Sequence, residues 1–280
     1  MLWKFSILSM MVLLACAQCS RAQECFTPKI YSEIGCKPVL EEEDGEESCP
    51  KRFDCDTVLG RKGNGCFFQG VAYNDGDEIP QNLTRSLCQA SCLCRNGIIT
   101  CASIECPDLF GPYMEGCIPQ NSMDSCCPEE YVCAENDIEK LPKCYMNGNE
   151  YRAGESMYPE RESCYTCICA EGFDNTTKLE ENPHCSPVEC GIELHSSDRV
   201  RTGCTPIYYK TPTCCPIGWR CPESSDAVIE GKEHTNEDPN MECTFGELKL
   251  KIGHKLSAAN GSAVECQCSV PPMVTCIQAS

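Results

Sequence analysis

Cysteine content constrains this chain more than any other feature. The sequence has 30 cysteines among 280 residues, a share above the level that marks a disulfide scaffold. Aromatic residues make up only 7% of the chain, so little material is left for a large apolar core. We therefore expect a row of small modules that disulfides hold together.

The charge balance excludes several classes of function. The formal net charge is −19, whereas nucleic acids and anionic membrane surfaces attract Lys and Arg. Four histidines leave little material for general acid–base catalysis, and no serine nucleophile with a His-Asp pair is recognisable. We expect no nucleic-acid partner, no enzymatic activity, no cofactor and no resident metal.

The N-terminal segment predicts secretion. The apolar run at residues 5–15 is too short to span a bilayer and is typical of a signal peptide. Small residues permit cleavage after Ala17 or after Ala22. Only the second site removes both Cys16 and Cys19, which leaves an even number of cysteines and no orphan thiol. No second long apolar run follows, so we expect a secreted, extracellular protein without a membrane span.

Two sequence patterns recur along the chain. One runs from Gly-Cys-x-Pro through Cys-Pro and an aromatic residue to a closing cysteine, which is Cys55, Cys133 or Cys221. The other opens with a cysteine that a glycine follows ten residues later, at Cys66, Cys144 and Cys243. The chain therefore has the order half-module, module, module, half-module.

The two complete units resemble von Willebrand factor type C modules, the cysteine-rich repeats of chordin, kielin and crossveinless-type proteins. Each unit has ten cysteines in the family order: a single one, a Cys-x-x-Cys-x-Cys cluster, two spaced singles, another single, an adjacent pair and a last one. The first unit departs from the pattern with three residues between Cys88 and Cys92. In both units five residues separate the adjacent pair from the last cysteine, where many family members have two.

The family's disulfide pattern joins first to fourth, second to eighth, third to fifth, sixth to ninth and seventh to tenth cysteine. For the first unit the resemblance implies Cys66–Cys94, Cys88–Cys126, Cys92–Cys101, Cys106–Cys127 and Cys117–Cys133. For the second unit it implies Cys144–Cys169, Cys164–Cys214, Cys167–Cys185, Cys190–Cys215 and Cys204–Cys221. Each half-module lacks only the cysteine whose partner would lie in its missing half. The remaining pairs are then Cys25–Cys49, Cys36–Cys55, Cys243–Cys268 and Cys266–Cys276.

Turn chemistry indicates a small, disulfide-rich, mainly β and irregular fold. Asn96-Gly97 between β-prone runs predicts a hairpin, and no apolar helical periodicity persists for three turns. Each module should be a short β-sheet subdomain followed by a disulfide-tied loop subdomain. The expected boundaries are a signal peptide at 1–22, a partial module at 23–55, modules at 66–133 and 144–221, a flexible acidic linker at 222–242 and a partial module at 243–280.

Three glycosylation acceptors of the Asn-x-Ser/Thr type occur, at Asn82, Asn175 and Asn260.

Metal binding is the less favoured interpretation of two other patterns. The Cys-x-x-Cys-x-Cys cluster suits zinc in a reducing compartment, but secretion favours disulfides. The acidic runs at 41–44 and 75–78 lack the spaced oxygen ligands of a calcium loop.

Three functions remain open. The resemblance implies an extracellular module that binds and modulates a cystine-knot growth factor of the bone morphogenetic protein or TGF-β type. A structural or oligomerisation protein of the extracellular matrix or a secreted fluid is the alternative. A serine protease inhibitor is the third, with Lys51-Arg52 as its dibasic candidate. Self-association also remains open, because the two half-modules could dock within or between chains or could be degenerate repeats without mutual contact.

The resemblance implies that contacts with protein ligands lie mainly in the first half of a module and in the segment before it. Apolar residues there are expected to be exposed and to bind the partner, since exposed apolar surface is otherwise costly. Packing against the disulfides is the alternative role. The candidates are Phe67, Phe68, Val71, Ile79, Tyr145, Met146, Met157 and Tyr158.

Overall fold

Short antiparallel strands tied by disulfides recur along the chain. The computed structural model describes residues 25, 27–40, 49–56, 58–59, 65–106, 114–160, 164–212, 214–231, 239–257 and 263–278. The expected signal peptide, the acidic run at 41–44 and the acceptor Asn260 lie outside these residues.

Fourteen disulfides join the described cysteines. Each of these described cysteines has the partner that the type C pattern implies. In each complete module one bond connects the sheet subdomain to the loop subdomain, Cys88–Cys126 in the first and Cys164–Cys214 in the second. At about 2–4 kcal/mol for a native disulfide, these bonds provide stability that the small cores cannot.

The N-terminal partial module folds around one short helix. Its elements are α1 (Lys29–Glu33), β1 (Lys37–Val39) and β2 (Arg52–Asp54), and the two strands pair antiparallel. The ring of Tyr31 stacks on that of Phe53, with centroids 4.3 Å apart. Both rings are buried together with Val58, so the core of this unit extends beyond the expected boundary at residue 55.

The first complete module has a hairpin followed by a three-stranded sheet. Its elements are β3 (Cys66–Phe68), β4 (Val71–Tyr73), β5 (Glu78–Ile79), α2 (Gln81–Thr84), a 3-10 turn (Arg85–Leu87), β6 (Gln89–Arg95), β7 (Ile98–Ser103), β8 (Ile118–Pro119) and β9 (Tyr131–Val132). Strands β3 and β4 pair with each other, β6 lies between β5 and β7, and β8 pairs with β9. The predicted hairpin at Asn96-Gly97 is confirmed, with φ of 51° and 77° at the turn between β6 and β7.

The second complete module repeats this plan and adds helices. Its elements are α3 (Glu135–Ile138), β10 (Lys143–Met146), β11 (Asn149–Arg152), β12 (Ser156–Met157), β13 (Tyr165–Ile168), β14 (Cys185–Pro187), α4 (Ile192–His195), α5 (Ser197–Arg201), β15 (Thr205–Tyr209) and β16 (Gly218–Arg220). Strands β10 and β11 form the hairpin, and β13 lies between β12 and β14.

A six-stranded sheet joins the second module to the C-terminal partial module. The remaining elements are β17 (Val228–Ile229), a 3-10 turn (Pro239–Met241), β18 (Glu242–Phe245), β19 (Leu248–Lys251), β20 (Lys255–Leu256), β21 (Val264–Gln267) and β22 (Thr275–Gln278). The sheet order is β16-β15-β22-β21-β20-β17. Strand β15 of the second module runs parallel to β22, and this pairing connects the two units.

The expectation of a flexible linker over 222–242 is wrong for its first part. Residues 228–229 form β17, which pairs antiparallel with β20. Just before it, Asp226 accepts a 2.5 Å hydrogen bond from Arg220, and both side chains are only 7% exposed. Arg220 also donates to the carbonyl oxygen of Ser257 at 2.9 Å. Because buried charges require partners, this cluster fixes the segment against the C-terminal unit.

The two partial modules are in contact within the chain. The hydroxyl of Tyr31 donates to the carbonyl oxygen of Val270 at 2.5 Å and accepts from the amide of Met273 at 2.9 Å. The amide of Phe53 donates to the carbonyl oxygen of Pro271 at 2.9 Å. Of the two alternatives left open by the sequence, the structure has the docked one, through the turn between β21 and β22.

Helix α4 of the second module packs against two other units at once. Its residue Ile192 belongs to the apolar cluster of Tyr31 in the N-terminal partial module. Its residue Leu194 belongs to the cluster of Phe68 in the first module. One short helix therefore provides apolar side chains to the cores of two neighbours.

The residue between these two side chains is a buried carboxylate. Glu193 is 1% exposed and accepts a hydrogen bond of 2.6 Å from the backbone amide of Gln69. At the same junction, a Cβ atom on Gly35 would lie 2.6 Å from the Cα atom of Gly70. The N-terminal partial module and the first module therefore meet with backbones in direct contact, and α4 reaches the same turn through the Glu193 carboxylate.

Candidate partner-binding surfaces

The eight candidate partner-binding residues divide into two equal groups. The buried group, whose exposed fraction is at most 7%, consists of Phe68, Ile79, Met146 and Met157. The group that keeps exposed or half-exposed side chains consists of Phe67, Val71, Tyr145 and Tyr158. The expectation that all eight form a binding surface is therefore wrong for the first group.

Strand geometry explains this division on β3 and β10. Successive side chains of a strand point to opposite faces, and in both modules the face that carries the first cysteine is the inner one. Phe68 therefore packs in the cluster that contains Cys66, and Met146 in the one that contains Cys144. In modules with so small a core, disulfides and adjacent apolar side chains form that core together, and these apolar residues cannot contact a partner.

The outer face of the β10–β11 hairpin is aromatic and charged. Tyr145 is 54% exposed, and its hydroxyl donates to the carboxylate of Glu150 at 2.9 Å. Glu150 also forms ion pairs with Lys143 at 2.8 Å and with Arg152 at 3.6 Å. The pKa of Glu150 is lowered, first by the hydrogen bond from Lys143 and then by that from Tyr145. The carboxylate is thus held ionised, and it orients the Tyr145 ring.

A second exposed tyrosine lies in a segment that the hairpin turn contacts. Tyr158 follows β12 and is 66% exposed. The side-chain amide of Asn147, in the turn between β10 and β11, donates to the carbonyl oxygen of Tyr158 at 3.0 Å. The hairpin turn therefore fixes the backbone that carries this ring. We call Tyr145 and Tyr158 together the tyrosine surface.

The loop between Cys169 and Cys185 borders the tyrosine surface. The side-chain Nδ2 of Asn175 in this loop donates to the carbonyl oxygen of Tyr145 at 3.1 Å. Phe173 and Leu179 pack against the apolar cluster of the module. The predicted acceptor Asn175 is exposed, and its loop is packed against the hairpin.

In the first module the equivalent hairpin is occupied by the rest of the chain. Its turn, Gln69-Gly70, lies against Glu193 and against Gly35. A Cβ atom on Gly148, at the same turn position in the second module, would meet nothing within 4 Å. Of the two hairpins, only that of the second module presents an open turn.

The structure supports neither metal binding nor protease inhibition at the residues that it describes. The sulfurs of Cys164, Cys214 and Cys215 lie within 4.8 Å of one another. All three belong to disulfides, whereas a metal ligand must be a thiolate.

Arg52 of the dibasic candidate lies in β2, where it is paired with Val39. A protease inhibitor needs its specificity residue on an exposed loop, and of this pair only Lys51, just before β2, is exposed.

Sequence reasoning missed α4 and its contacts. Ile192 and Leu194 flank Glu193 in a single turn, which is too short for any apolar period to be recognised. The only signal was the unusual pair of apolar residues around a glutamate between Cys190 and Cys204.

Comparison with known proteins finds relatives that are much longer than this chain. It is 24% identical over 246 residues to the Cysteine-rich motor neuron 1 protein of Gallus gallus, which covers 81% of this chain and 21% of that protein. It is 23% identical over 195 residues to the Dorsal-ventral patterning protein Sog of Drosophila melanogaster, and the match covers 63% of this chain and 17% of that protein. It is 24% identical over 259 residues to the von Willebrand factor C and EGF domain-containing protein of Mus musculus, and the match covers 73% of this chain and 25% of that protein. No protein-family profile and no solved structure matches the chain.

These relatives carry von Willebrand factor type C domains, and the ten-cysteine pattern occurs twice in this chain. The chain fits the von Willebrand factor type C repeat family. Its strands, irregular segments and disulfides agree with tandem type C modules.

The protein is secreted and extracellular, because disulfides in this number persist in an oxidising compartment and the relatives are extracellular proteins. Within the described ranges, no helix has both the length and the apolar character that crossing a bilayer requires.

Proposed function

We propose that this type C repeat protein binds a dimeric cystine-knot growth factor of the bone morphogenetic protein or TGF-β type and modulates its access to receptors. The role is one of binding without catalysis. The resemblance to chordin-like repeats supports the class of ligand, as does similarity to a protein named for dorsal-ventral patterning. Family resemblance indicates a class of ligand but no binding residues, so substitutions at the candidate surface are the test.

The observation that carries the proposal is the exposure of Tyr145 on the disulfide-tied β10–β11 hairpin and of Tyr158 just after β12. Tyrosine is enriched among the residues that dominate interface energies. It offers a large contact area and loses little conformational freedom on binding. Tyr145 is further oriented by its hydrogen bond to Glu150, so part of the ordering cost of binding is already met.

The second module is the principal site in this proposal. The equivalent hairpin of the first module packs against Gly35 and Glu193, which leaves less of its surface for a partner. Phe67 and Val71 of the first module would add contacts beside the docked turn. The net charge of −19 suits a basic partner and would raise the rate of encounter more than the affinity.

The test is binding of the full secreted chain to a panel of immobilised growth factors at physiological salt. Tyr145→Ala and Tyr158→Ala should each weaken binding, by about tenfold or more if they contribute about 1.4 kcal/mol or more. Tyr209→Ala is the matched control, because Tyr209 is a 50% exposed tyrosine in the six-stranded sheet. Equal loss in all three variants would mean that the tyrosine surface is not specific.

Absence of binding across the whole panel would overturn the growth-factor proposal. The structural role in matrix or secreted fluid would then be favoured. That alternative predicts instead that the protein incorporates into insoluble matrix and that the tyrosine variants incorporate as well as the wild type.

A further inference from the structure

We propose that an N-linked glycan at Asn175 covers the tyrosine surface and limits the access of protein partners to the second module. This inference rests on the proposed function, since it describes how the same surface is regulated. The acceptor sequence is Asn175-Thr176-Thr177. The atom that would carry the sugar, Nδ2 of Asn175, is 3.1 Å from the carbonyl oxygen of Tyr145.

The loop that carries the acceptor is held in one conformation. Asn182 is buried, and its amide donates to the carbonyl oxygen of Asp174 and accepts from the amide of His184, both at 3.0 Å. The Asp174 carboxylate accepts from the hydroxyl of Thr176 at 2.7 Å and from its amide at 2.8 Å. These two bonds lower the pKa of Asp174. Because both neighbours are fixed, Asn175 points its Nδ2 at the hairpin.

Attachment of a glycan is compatible with this contact. Forming the N-glycosidic bond replaces one of the two hydrogens on Nδ2, and the second can continue to donate to Tyr145. The first sugar is thereby placed at the edge of β10, beside an aromatic ring that is 54% exposed. An N-linked oligosaccharide is bulky and strongly hydrated. It would occupy the space that a protein partner needs above Tyr145 and Tyr158.

The arrangement is specific to the second module. In the first module the connection between Cys94 and Cys101 is the tight turn at Asn96-Gly97, which has no room for an acceptor loop. The other described acceptor, Asn82, lies exposed on helix α2. Its removal therefore serves as a control for the loss of a glycan elsewhere on the same protein.

The experiment compares two substitutions at one position that leave Asn175 itself unchanged. The Thr177 hydroxyl donates to the Asp174 carboxylate at 3.2 Å, a bond that serine can keep and alanine removes, so the enzymatically trimmed wild type is measured beside both variants. Thr177→Ala destroys the acceptor sequence, and Thr177→Ser preserves it. The full chain is secreted from mammalian cells, and mass spectrometry of the peptide records the occupancy of Asn175. Against an immobilised growth factor, Thr177→Ala should bind about tenfold more tightly than wild type and Thr177→Ser, equivalent to about 1.4 kcal/mol. Asn82→Gln should bind like the wild type.

A second readout needs no ligand. Chemical nitration of tyrosines, followed by mass spectrometry, should modify Tyr145 and Tyr158 faster in Thr177→Ala than in Thr177→Ser. Tyr209, in strand β15 of the six-stranded sheet, should react equally in both. If a variant is poorly secreted, enzymatic trimming of the folded wild type to a single N-acetylglucosamine provides the comparison.

The two readouts separate the two proposals. Failure of every form to bind any growth factor, with faster nitration in Thr177→Ala, overturns the proposed function and supports the glycan cover. An unoccupied Asn175, or equal nitration rates with and without the glycan, overturns the glycan cover whatever the binding result.

Discussion

The phenol oxygen of Tyr31 accepts a hydrogen bond from the amide of Met273 at 2.9 Å, across 242 residues of sequence. This contact joins the N-terminal to the C-terminal partial module. Helix α4 joins the N-terminal unit to the first module through Ile192 and Leu194. The positions of the modules thus depend on packing between units as well as on the lengths of the linkers.

Tyr31→Phe tests the contact between the partial modules. The substitution keeps the ring that stacks on Phe53 and removes the hydroxyl, so the amide of Met273 loses its partner. We expect a cost of about 1–3 kcal/mol, as is typical when a buried polar group is left unsatisfied. Hydrogen exchange should become faster at the amide of Met273. Tyr209→Phe, at an exposed tyrosine, should leave the exchange rates unchanged.

Two buried phenols predict a loss of stability in alkaline solution. Burial raises the pKa of Tyr31 and of Tyr208 above the ordinary value of 10.0. The unfolded chain releases these protons near pH 10, while the folded chain keeps them, so the contribution to stability is complete below about pH 10 and declines above it. The decline should be about 1.4 kcal/mol per pH unit for each tyrosine. Denaturant unfolding followed by the fluorescence of Trp219, which packs on this cluster, should show a shallower decline in Tyr31→Phe.

Local patterns in the sequence were sufficient for local structure. Asn96-Gly97 predicted a hairpin because few other residue pairs adopt two consecutive positive φ angles. The order of cysteines implied the module plan and the disulfide partners through the resemblance to a family. Both signals lie within about one module of sequence.

The contacts between units left no such pattern. Tyr31 gives no local indication that it contacts Met273, and the acidic segment around Asp226 has the composition of a flexible linker although Asp226 pairs with the buried Arg220. The apolar character of a residue also did not show whether its side chain lies on the surface or in the core. Phe68 and Tyr145 were equivalent candidates, but the alternation of strand side chains places one beside a disulfide and the other outside.

Gly35→Ala tests the backbone contact between the N-terminal partial module and the first module. Both Gly35 and Gly116 have positive φ, at 78° and 77°, so alanine should be similarly strained at either site. A Cβ atom on Gly35 would lie 2.6 Å from Gly70, whereas one on Gly116 would meet nothing within 4 Å. Gly35→Ala should therefore separate the two units and expand the particle in small-angle scattering. Gly116→Ala should keep the wild-type dimensions, and equal expansion in both variants would contradict the contact.

Asp226→Asn tests whether the segment after the second module is fixed by its ion pair. The substitution leaves the buried guanidinium of Arg220 without its counter-charge, and breaking one side of a buried pair costs about 3–5 kcal/mol. Because Asp226 lies just before β17, we expect residues 228–229 to lose protection from hydrogen exchange while β10 and β11 keep theirs. Asp198→Asn is the matched control, since Asp198 pairs with Arg199 at 3.6 Å with both side chains more than half exposed, where ion pairs contribute little. Unchanged protection at 228–229 in Asp226→Asn would mean that strand pairing with β20 alone orders this segment.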